Sequence, residues 1–322
     1  MDRKALREFT HKVDNFLTVK NSTYKQWVFR YTFLELEKDL GVNGDITTKG
    51  IFHNEKIVTG KVYAREDGVL AGREEIEYFL TKAHSGFRPA VPGKFGVTFK
   101  FEDGDAFKKD DLIVEITADV NGLLAVERVV LNLLMRMSGV ATYSKKITDM
   151  VKDYDVLVTP TRKTLWGLLD KKAVMIGGGG THRLNLEDAI LIKDTHMDLI
   201  DKNYEKAFEN IAAAGSDARF LEVEVGSIDN ALKCAEALTG FIDSKRLRTI
   251  GVLLMDNMGP KMIKDALVEI KKAGLYDKLL FEGSGGVTED TIVEFAKSGV
   301  DIVSMGSITN GPKSLNMSMK TA

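Results

Sequence analysis

One cysteine, Cys234, is all that the 322 residues contain. A single thiol cannot close an internal disulfide, so nothing in the chain asks for an oxidising compartment, and a cytoplasmic protein is the expectation. No run of about 18 apolar residues occurs, which excludes an ordinary membrane-spanning helix. An excess of one charge is missing too. Lys and Arg number 45 against 47 Asp and Glu, a formal net charge of −2. There is no basic field to hold nucleic acid, so an anionic ligand would have to be met by a local cluster. The opening Met1-Asp-Arg-Lys-Ala continues into a charged helical pattern, not an apolar signal core. A Gly-x-Ser-x-Gly elbow and a P-loop are both absent. So is any spaced Cys/His set for zinc: His182 and His196 are far apart, with no cysteine partner. His11, His53 and His84 read as ordinary surface or core residues. Cys234 lies in Ala231-Leu-Lys-Cys-Ala-Glu-Ala-Leu, a helical pattern in which it reads as a small buried hydrophobe.

The length favours two domains, with one large α/β barrel as the rival. Residues 1–40 are charge-rich and helical in pattern, with Leu34, Leu36 and Leu40 as apolar anchors before Gly41. Short β-like runs follow, such as Val97-Thr-Phe-Lys-Phe and Leu112-Ile-Val-Glu-Ile, and mark a mixed α+β region. The strongest helix is predicted at about 124–151. There Val126, Val129, Val130, Leu133, Leu134, Met137, Val140 and Ala141 keep the spacing of one buried face. Arg128, Asn132 and Arg136 recur at i, i+4 and i+8 and form its polar side, which reads as a solvated face.

From residue 155 the pattern changes. Runs Val156–Val158, Ile190–Ile192, Phe220–Val225, Ile250–Met255, Leu279–Phe281 and Ile302–Met305 alternate with amphipathic stretches such as 227–239, 259–273 and 288–298. Strand-then-helix repetition implies right-handed crossovers and a parallel sheet. About six or seven such units close, or nearly close, into a barrel, with a doubly wound open sheet as the alternative.

Polar residues follow nearly every one of these runs: Arg162 and Lys163, then Lys193, Asp194 and His196, Glu222 and Glu224, Asp256 and Asn257, Glu282 with Ser284-Gly-Gly, and Gly306-Ser307. In a parallel barrel the carboxyl ends of the strands share one face, where active sites sit. Ser284, Gly285, Gly286 and Gly306 offer small residues and bare N–H groups after the last two strands, the usual place of a phosphate. The run Gly177-Gly-Gly-Gly180 costs so much chain entropy that a close backbone approach, to a ligand or within a tight turn, is implied. Arg162, Lys163, His182, Arg183 and Lys193 form a basic set suited to a carboxylate-rich ligand. Glu224 and Asp256 suit Mg²⁺ and ribose hydroxyls.

These motifs, in this order, resemble the quinolinate phosphoribosyltransferase family over nearly the whole chain. The residues that carry the likeness begin with Gly44-Asp-Ile-Thr-Thr, Ala125-Val-Glu-Arg-Val-Val-Leu-Asn, Ser138-Gly-Val-Ala-Thr and Thr161-Arg-Lys-Thr. They continue with Gly177-Gly-Gly-Gly-Thr-His-Arg, Leu191-Ile-Lys-Asp, Glu222-Val-Glu-Val, Asp256-Asn-Met, Glu282-Gly-Ser-Gly-Gly and Gly299-Val-Asp-Ile-Val-Ser-Met-Gly. The resemblance implies an α/β fold in two domains. An N-terminal α/β sandwich would span 1–137, with the tail 308–322 packed back on it, and an incomplete parallel α/β barrel would span 138–307.

It further implies phosphoribosyl transfer from phosphoribosyl pyrophosphate to quinolinate with loss of CO₂, a step of NAD biosynthesis. Lys163, Lys193, Glu224 and Asp256 would be catalytic, with Mg²⁺ at Glu224 and Asp256. Arg162, Lys163, His182, Arg183 and Lys193 would bind the acid, and Ser284, Gly285, Gly286 and Gly306 the 5′-phosphate. A homodimer or hexamer would share its sites, with Arg128 reaching in from the neighbouring subunit. Some positions depart from the family pattern. Pro160 stands for Asp, Trp166-Gly-Leu-Leu for Pro-Gly-Leu-Arg, and Thr181 and Thr195 for Asn. They imply an altered wall beside the acid site and leave a ModD-like transferase, acting on another aromatic acid or base, as the alternative.

Overall fold

A computed structural model of the chain describes residues 2–13, 15–83, 94–215 and 218–321; His84 lies outside them. Helices in chain order are α1 (Arg3–His11), α2 (Ser22–Leu40), α3 (Ile46–Ile51), α4 (Arg73–Tyr78), α5 (Val120–Met150), α6 (Leu168–Ile176), α7 (Asp194–Asp198), α8 (Tyr204–Ala214), α9 (Ile228–Asp243), α10 (Gly259–Lys272), α11 (Ile292–Lys297) and α12 (Ser307–Asn310). Strands are β1 (Ile57–Ala64), β2 (Gly68–Val69), β3 (Gly96–Phe99), β4 (Ala106–Phe107), β5 (Leu112–Asp119), β6 (Leu157–Thr159), β7 (Ile190–Ile192), β8 (Phe220–Val225), β9 (Ile250–Asp256), β10 (Leu280–Ser284), β11 (Ile302–Ser304) and β12 (Met317–Thr321).

Two compact units form, and no single cut in the chain separates them. One gathers Asp14–Lys145, Trp166–Gly177 and Pro312–Ala322; the other gathers Met1–Val13, Lys146–Leu165 and Gly178–Gly311. The first, the sandwich unit, holds an antiparallel sheet in the order β12-β1-β5-β3. Its edge strand comes from the C-terminus, with Gly60 opposite Thr321 and Ala64 opposite Met317. All eight apolar residues predicted for the face of α5 are buried. The polar side of that helix divides. Arg128 is exposed, as a solvated face requires. Arg136 is not: it is buried, and its Nε and Nη2 donate to the two oxygens of Asp170 at 2.9 and 3.0 Å. Leu34, expected as an anchor, faces solvent, whereas Leu36 is buried. The Gly44-Asp-Ile-Thr-Thr turn starts a helix, because the Asp45 side chain accepts the N–H groups of Thr47 and Thr48 and caps α3.

The other unit is built on a six-stranded parallel sheet, ordered β6-β11-β10-β9-β8-β7. Each strand from β8 to β11 lies beside its predecessor in sequence, and then β6 follows β11. That cyclic order is the winding of a barrel opened between β6 and β7; a doubly wound sheet would reverse direction midway. Inward residues repeat every second position. Phe220, Val252, Leu280, Ile302 and Ala189 make the lowest layer, with Leu6 of α1 packed against it. The N-terminal segment therefore belongs to the barrel unit. Arg3 clasps Asp301 (Nη2 to Oδ2, 2.7 Å), and Arg219 donates to the Thr10 carbonyl at 2.6 Å. Cys234 is buried in α9, as its helical pattern predicts.

Candidate active site

Two residues above the apolar layer, the sheet buries charge; two residues above that, it opens into a cavity. Along β8 the inward sequence is Phe220, Glu222, Glu224, and along β10 it is Leu280, Glu282, Ser284. Phe220, Glu222, Leu280 and Glu282 are buried, and Glu224 and Ser284 are partly exposed. The cavity, about 340 Å³, is lined by Thr161, Arg162, Lys163, His182, Arg183, Leu191, Lys193, Glu224, Leu254, Asp256, Ser284 and Ser304. Eight of the residues predicted for the site thus meet in one cavity at the carboxyl ends of the strands.

Its charges are set against one another. Burial and the neighbouring Arg162 hold the Arg183 guanidinium below its ordinary range. Burial, followed by the charge of Asp256, pushes the Glu224 carboxyl up; Asp256 is raised by burial and by Asp194. An anion beside Arg162 and Arg183 and a cation beside Glu224 and Asp256 would each relieve a repulsion already present. The Lys163 loop is anchored: its carbonyl accepts the Thr309 hydroxyl at 2.9 Å, and its N–H donates to Thr161 Oγ1 at 3.0 Å. Gly285 (φ +83°) and Gly286 (φ +67°) take a left-handed turn after β10, and a Cβ on Gly285 would lie 2.3 Å from Asn257 Oδ1. Gly306 sits beside Lys163, where a Cβ would be 3.5 Å from the lysine Cδ. Arg128 lies in the sandwich unit.

The layer beneath holds what sequence reading missed. His11, read as an ordinary histidine, is fully buried and meets His182, Glu222 and Glu282, all of them buried. His11 Nε2 is 3.2 Å from Glu282 and 3.9 Å from Glu222, and His182 Nε2 is 3.3 Å from each. Nothing in the spacing of a histidine at position 11 and another at 182 signals this. The signal lay in Glu222 and Glu282, each two residues below a pocket residue on its strand. Burial drives the His11 pKa down to about 4. For His182 burial also lowers it, but Glu282 and Glu222 outweigh that and bring it to about 9. Burial and Glu282 raise Glu222 to about 8; Glu282 itself is held low because His182 and His11 overcome the effect of burial. His182 Nδ1 accepts the Arg183 N–H at 2.7 Å. Its two nitrogens are therefore turned toward the protein, while its ring edges the cavity.

The four-glycine run approaches the protein's own backbone. A Cβ on Gly180 would fall 2.4 Å from the His11 carbonyl, and one on Gly177 would fall 2.4 Å from that of Ala141. Thr181 donates its N–H to the same His11 carbonyl at 2.6 Å. The other altered stretch packs within the sandwich unit. Trp166 lies against Tyr31 in a tilted pair with ring centroids 4.7 Å apart, and Leu169 is fully buried.

Residues 45–138 match the N-terminal domain of quinolinate phosphoribosyl transferase, and residues 140–320 match its C-terminal domain. The chain belongs to the quinolinate phosphoribosyltransferase family. A relative from Methanocaldococcus jannaschii, named a probable carboxylating nicotinate-nucleotide pyrophosphorylase, is 35% identical over 92% of this chain and 97% of its own. One of the same name from Methanothermobacter thermautotrophicus is 33% identical over 88% and 95%. The crystal structure of NadC from Streptococcus pyogenes superposes with a TM-score of 0.76 at 31% identity, covering 93% of this chain and 96% of that one. The antiparallel sheet of one unit and the parallel six-stranded sheet of the other are thus found in a chain that matches this solved structure in fold. Among the described residues no helix is long and apolar enough to cross a membrane.

Proposed function

We propose that the chain catalyses phosphoribosyl transfer from phosphoribosyl pyrophosphate to quinolinate, with decarboxylation to nicotinate mononucleotide. The observation that carries this, in a member of this family, is one small cavity that gathers four cations with two carboxylates, Glu224 feeling the charge of Asp256. Arg162, Lys163, Arg183 and Lys193 hold the two carboxylates of the acid, with the His182 ring forming part of the wall. Ser284, Gly285, Gly286 and Gly306 cradle the 5′-phosphate. Glu224 and Asp256 fit Mg²⁺, since they offer only oxygen donors and their repulsion favours a cation; bound there, it would neutralise charge on the pyrophosphate.

The pyridine nitrogen forms a bond to ribose C1 as the C1–O bond to pyrophosphate breaks and its electron pair leaves with the pyrophosphate. Lys163 and Lys193 stabilise that departing charge, and the site acts mainly by positioning and electrostatics. The ring, now cationic at nitrogen, accepts the electron pair of its C2–carboxylate bond. CO₂ leaves, and a proton from water replaces it.

Arg128 reaches the cavity of a neighbouring subunit in a homodimer or larger assembly. Mixed Arg128→Ala and Lys163→Ala subunits then recover activity that neither variant has alone; no recovery removes the shared site. The deciding assay combines the protein with phosphoribosyl pyrophosphate, Mg²⁺ and quinolinate and looks for nicotinate mononucleotide and CO₂ by mass spectrometry. Both products, lost in Lys163→Ala, are expected. Binding of phosphoribosyl pyrophosphate without product moves the acceptor to another aromatic acid or base, as the changes at Pro160 and Trp166 allow.

A further inference from the structure

The layer below the cavity contains buried polar atoms without partners. Nε2 of His11 and all four carboxylate oxygens of Glu222 and Glu282 are sealed from solvent and make no hydrogen bond. They face one another as histidine–glutamate pairs at N–O separations of 3.2, 3.3, 3.3 and 3.9 Å. One ligand atom from each of the four residues lies within 4.8 Å of all the others. Two imidazoles and two carboxylates buried together hold their charge either with a proton on His182 or with a cation among them.

We propose that His11, His182, Glu222 and Glu282 form a site for a divalent transition-metal ion of the zinc class, one layer beneath the substrate cavity and distinct from Glu224 and Asp256. Donor atoms around a tetrahedral ion with bonds of about 2.0–2.1 Å lie about 3.3–3.4 Å apart. The four short separations use both oxygens of each carboxylate, and with one donor atom per residue the set lies within 4.8 Å, so the two carboxylates turn and draw in by about 1 Å to close on the ion. Two imidazoles and two carboxylates suit such an ion, and a dication would take the place of the His182 proton as the charge that offsets the two carboxylates. The outer contacts of His11 are also those of a ligand. The Thr10 hydroxyl lies within 3.0 Å of the Leu6 and Arg7 carbonyls and donates to them. Its oxygen therefore accepts His11 Nδ1–H at 2.8 Å, which leaves Nε2 bare and aimed at the cluster.

His182 is held with φ at +51°, a conformation a side-chain-bearing residue adopts only when its surroundings impose it. One contact opposes the ion: metal on His182 Nε2 puts the ring proton on Nδ1, so the Arg183 N–H must turn away. With four protein ligands the site is closed, and its role is structural. It ties α1, through His11, to β8 and β10, directly under Glu224 and Ser284.

The test is the metal content of the full-length chain as purified from cells, with X-ray absorption on the bound metal. About one equivalent per chain is expected, with two imidazole and two oxygen ligands and no water. His11→Ala and Glu282→Gln should each lower the content by about tenfold or more, while Asp256→Asn should leave it unchanged. If His11→Ala fails to fold, His11→Cys, which supplies another ligand, should fold and keep the ion. Folded wild-type chain that holds no metal, even after refolding with Zn²⁺, would overturn the proposal. So would a full complement of metal in both His11→Ala and Glu282→Gln, or a spectrum showing oxygen ligands only. None of these readouts depends on which acid the enzyme uses.

Discussion

In the sandwich unit, Arg136 meets both oxygens of Asp170, its remaining nitrogen donates to the Pro312 carbonyl at 3.1 Å, and Asp170 also accepts the Trp166 N–H at 3.0 Å. In the barrel unit, Glu222 and Glu282 are equally buried, yet their oxygens go without hydrogen bonds. Both regions bury charge; helical periodicity gives no warning of Arg136, and Glu222 and Glu282 are signalled only by standing two residues before a pocket residue on their strands. The difference lies in whether the protein completes its own hydrogen bonds. A closed network such as Arg136–Asp170 acts on stability alone. An open one implies a guest, and the cavity immediately above it, lined by Arg162, Lys163, Arg183 and Lys193, implies another.

That contrast can be broken by substitution. The largest effect on stability should come from Arg136→Ala or Asp170→Ala. Each strands a buried charge and should cost about 3–5 kcal/mol in urea unfolding. The double replacement Arg136→Met with Asp170→Leu should recover most of that loss. If the single variants cost no more than a surface change, the pair is not the closed network described. At the barrel mouth the effect should be inverted. Arg162→Ala should lower kcat/KM for quinolinate by about 100-fold or more with little change in the unfolding midpoint, since the side chain is exposed and, in the proposed reading, meets the ligand. Turnover within about threefold of wild type would remove Arg162 from the acid site.

A third substitution sharpens the comparison within the sandwich unit. Glu75 is buried, and burial together with Asp103 lifts its pKa to about 7, against the opposing hydrogen bond from Tyr24. Its folded-state pKa is above the unfolded one, so the native state holds the proton more tightly. Stability should therefore decline as pH rises from about 4.5 to about 7 and then level off. Glu75→Gln, which mimics the protonated form, should abolish that decline and stabilise the protein by on the order of 1–3 kcal/mol at pH 8. An unchanged pH profile would show that Glu75 is ionised throughout. The smallest effect is expected at Arg128, where Ala should move stability by no more than about 0.5 kcal/mol while still reducing activity.

Much of this was legible before any coordinates. The six strand-like runs from residue 156 onward appear where predicted, to within two or three residues, because β-branched and leucine-rich segments bounded by turn residues have few other ways to bury themselves. The face of α5 was readable for the same reason. Residues collected at strand ends were legible as a site because parallel winding brings every carboxyl end to one rim. Periodicity misjudged Arg136 and Leu34: it describes a helix by itself and carries no information about which neighbour covers which face.

What the sequence determined by itself was the alternation of strands and helices, the family and the membership of the cavity, since each depends on local pattern or on ordered motifs. Only tertiary structure decided that the first thirteen residues join the barrel unit, that β12 completes the sheet of the sandwich unit, and that His11 meets His182 across 170 positions of chain. Those outcomes turn on which buried surfaces fit together, and no residue type at position 11 announces where its backbone will be carried. The glycines at 177 and 180 belong with them. Their composition told of a close approach, but only the packed structure could say that the approaching group was the chain itself.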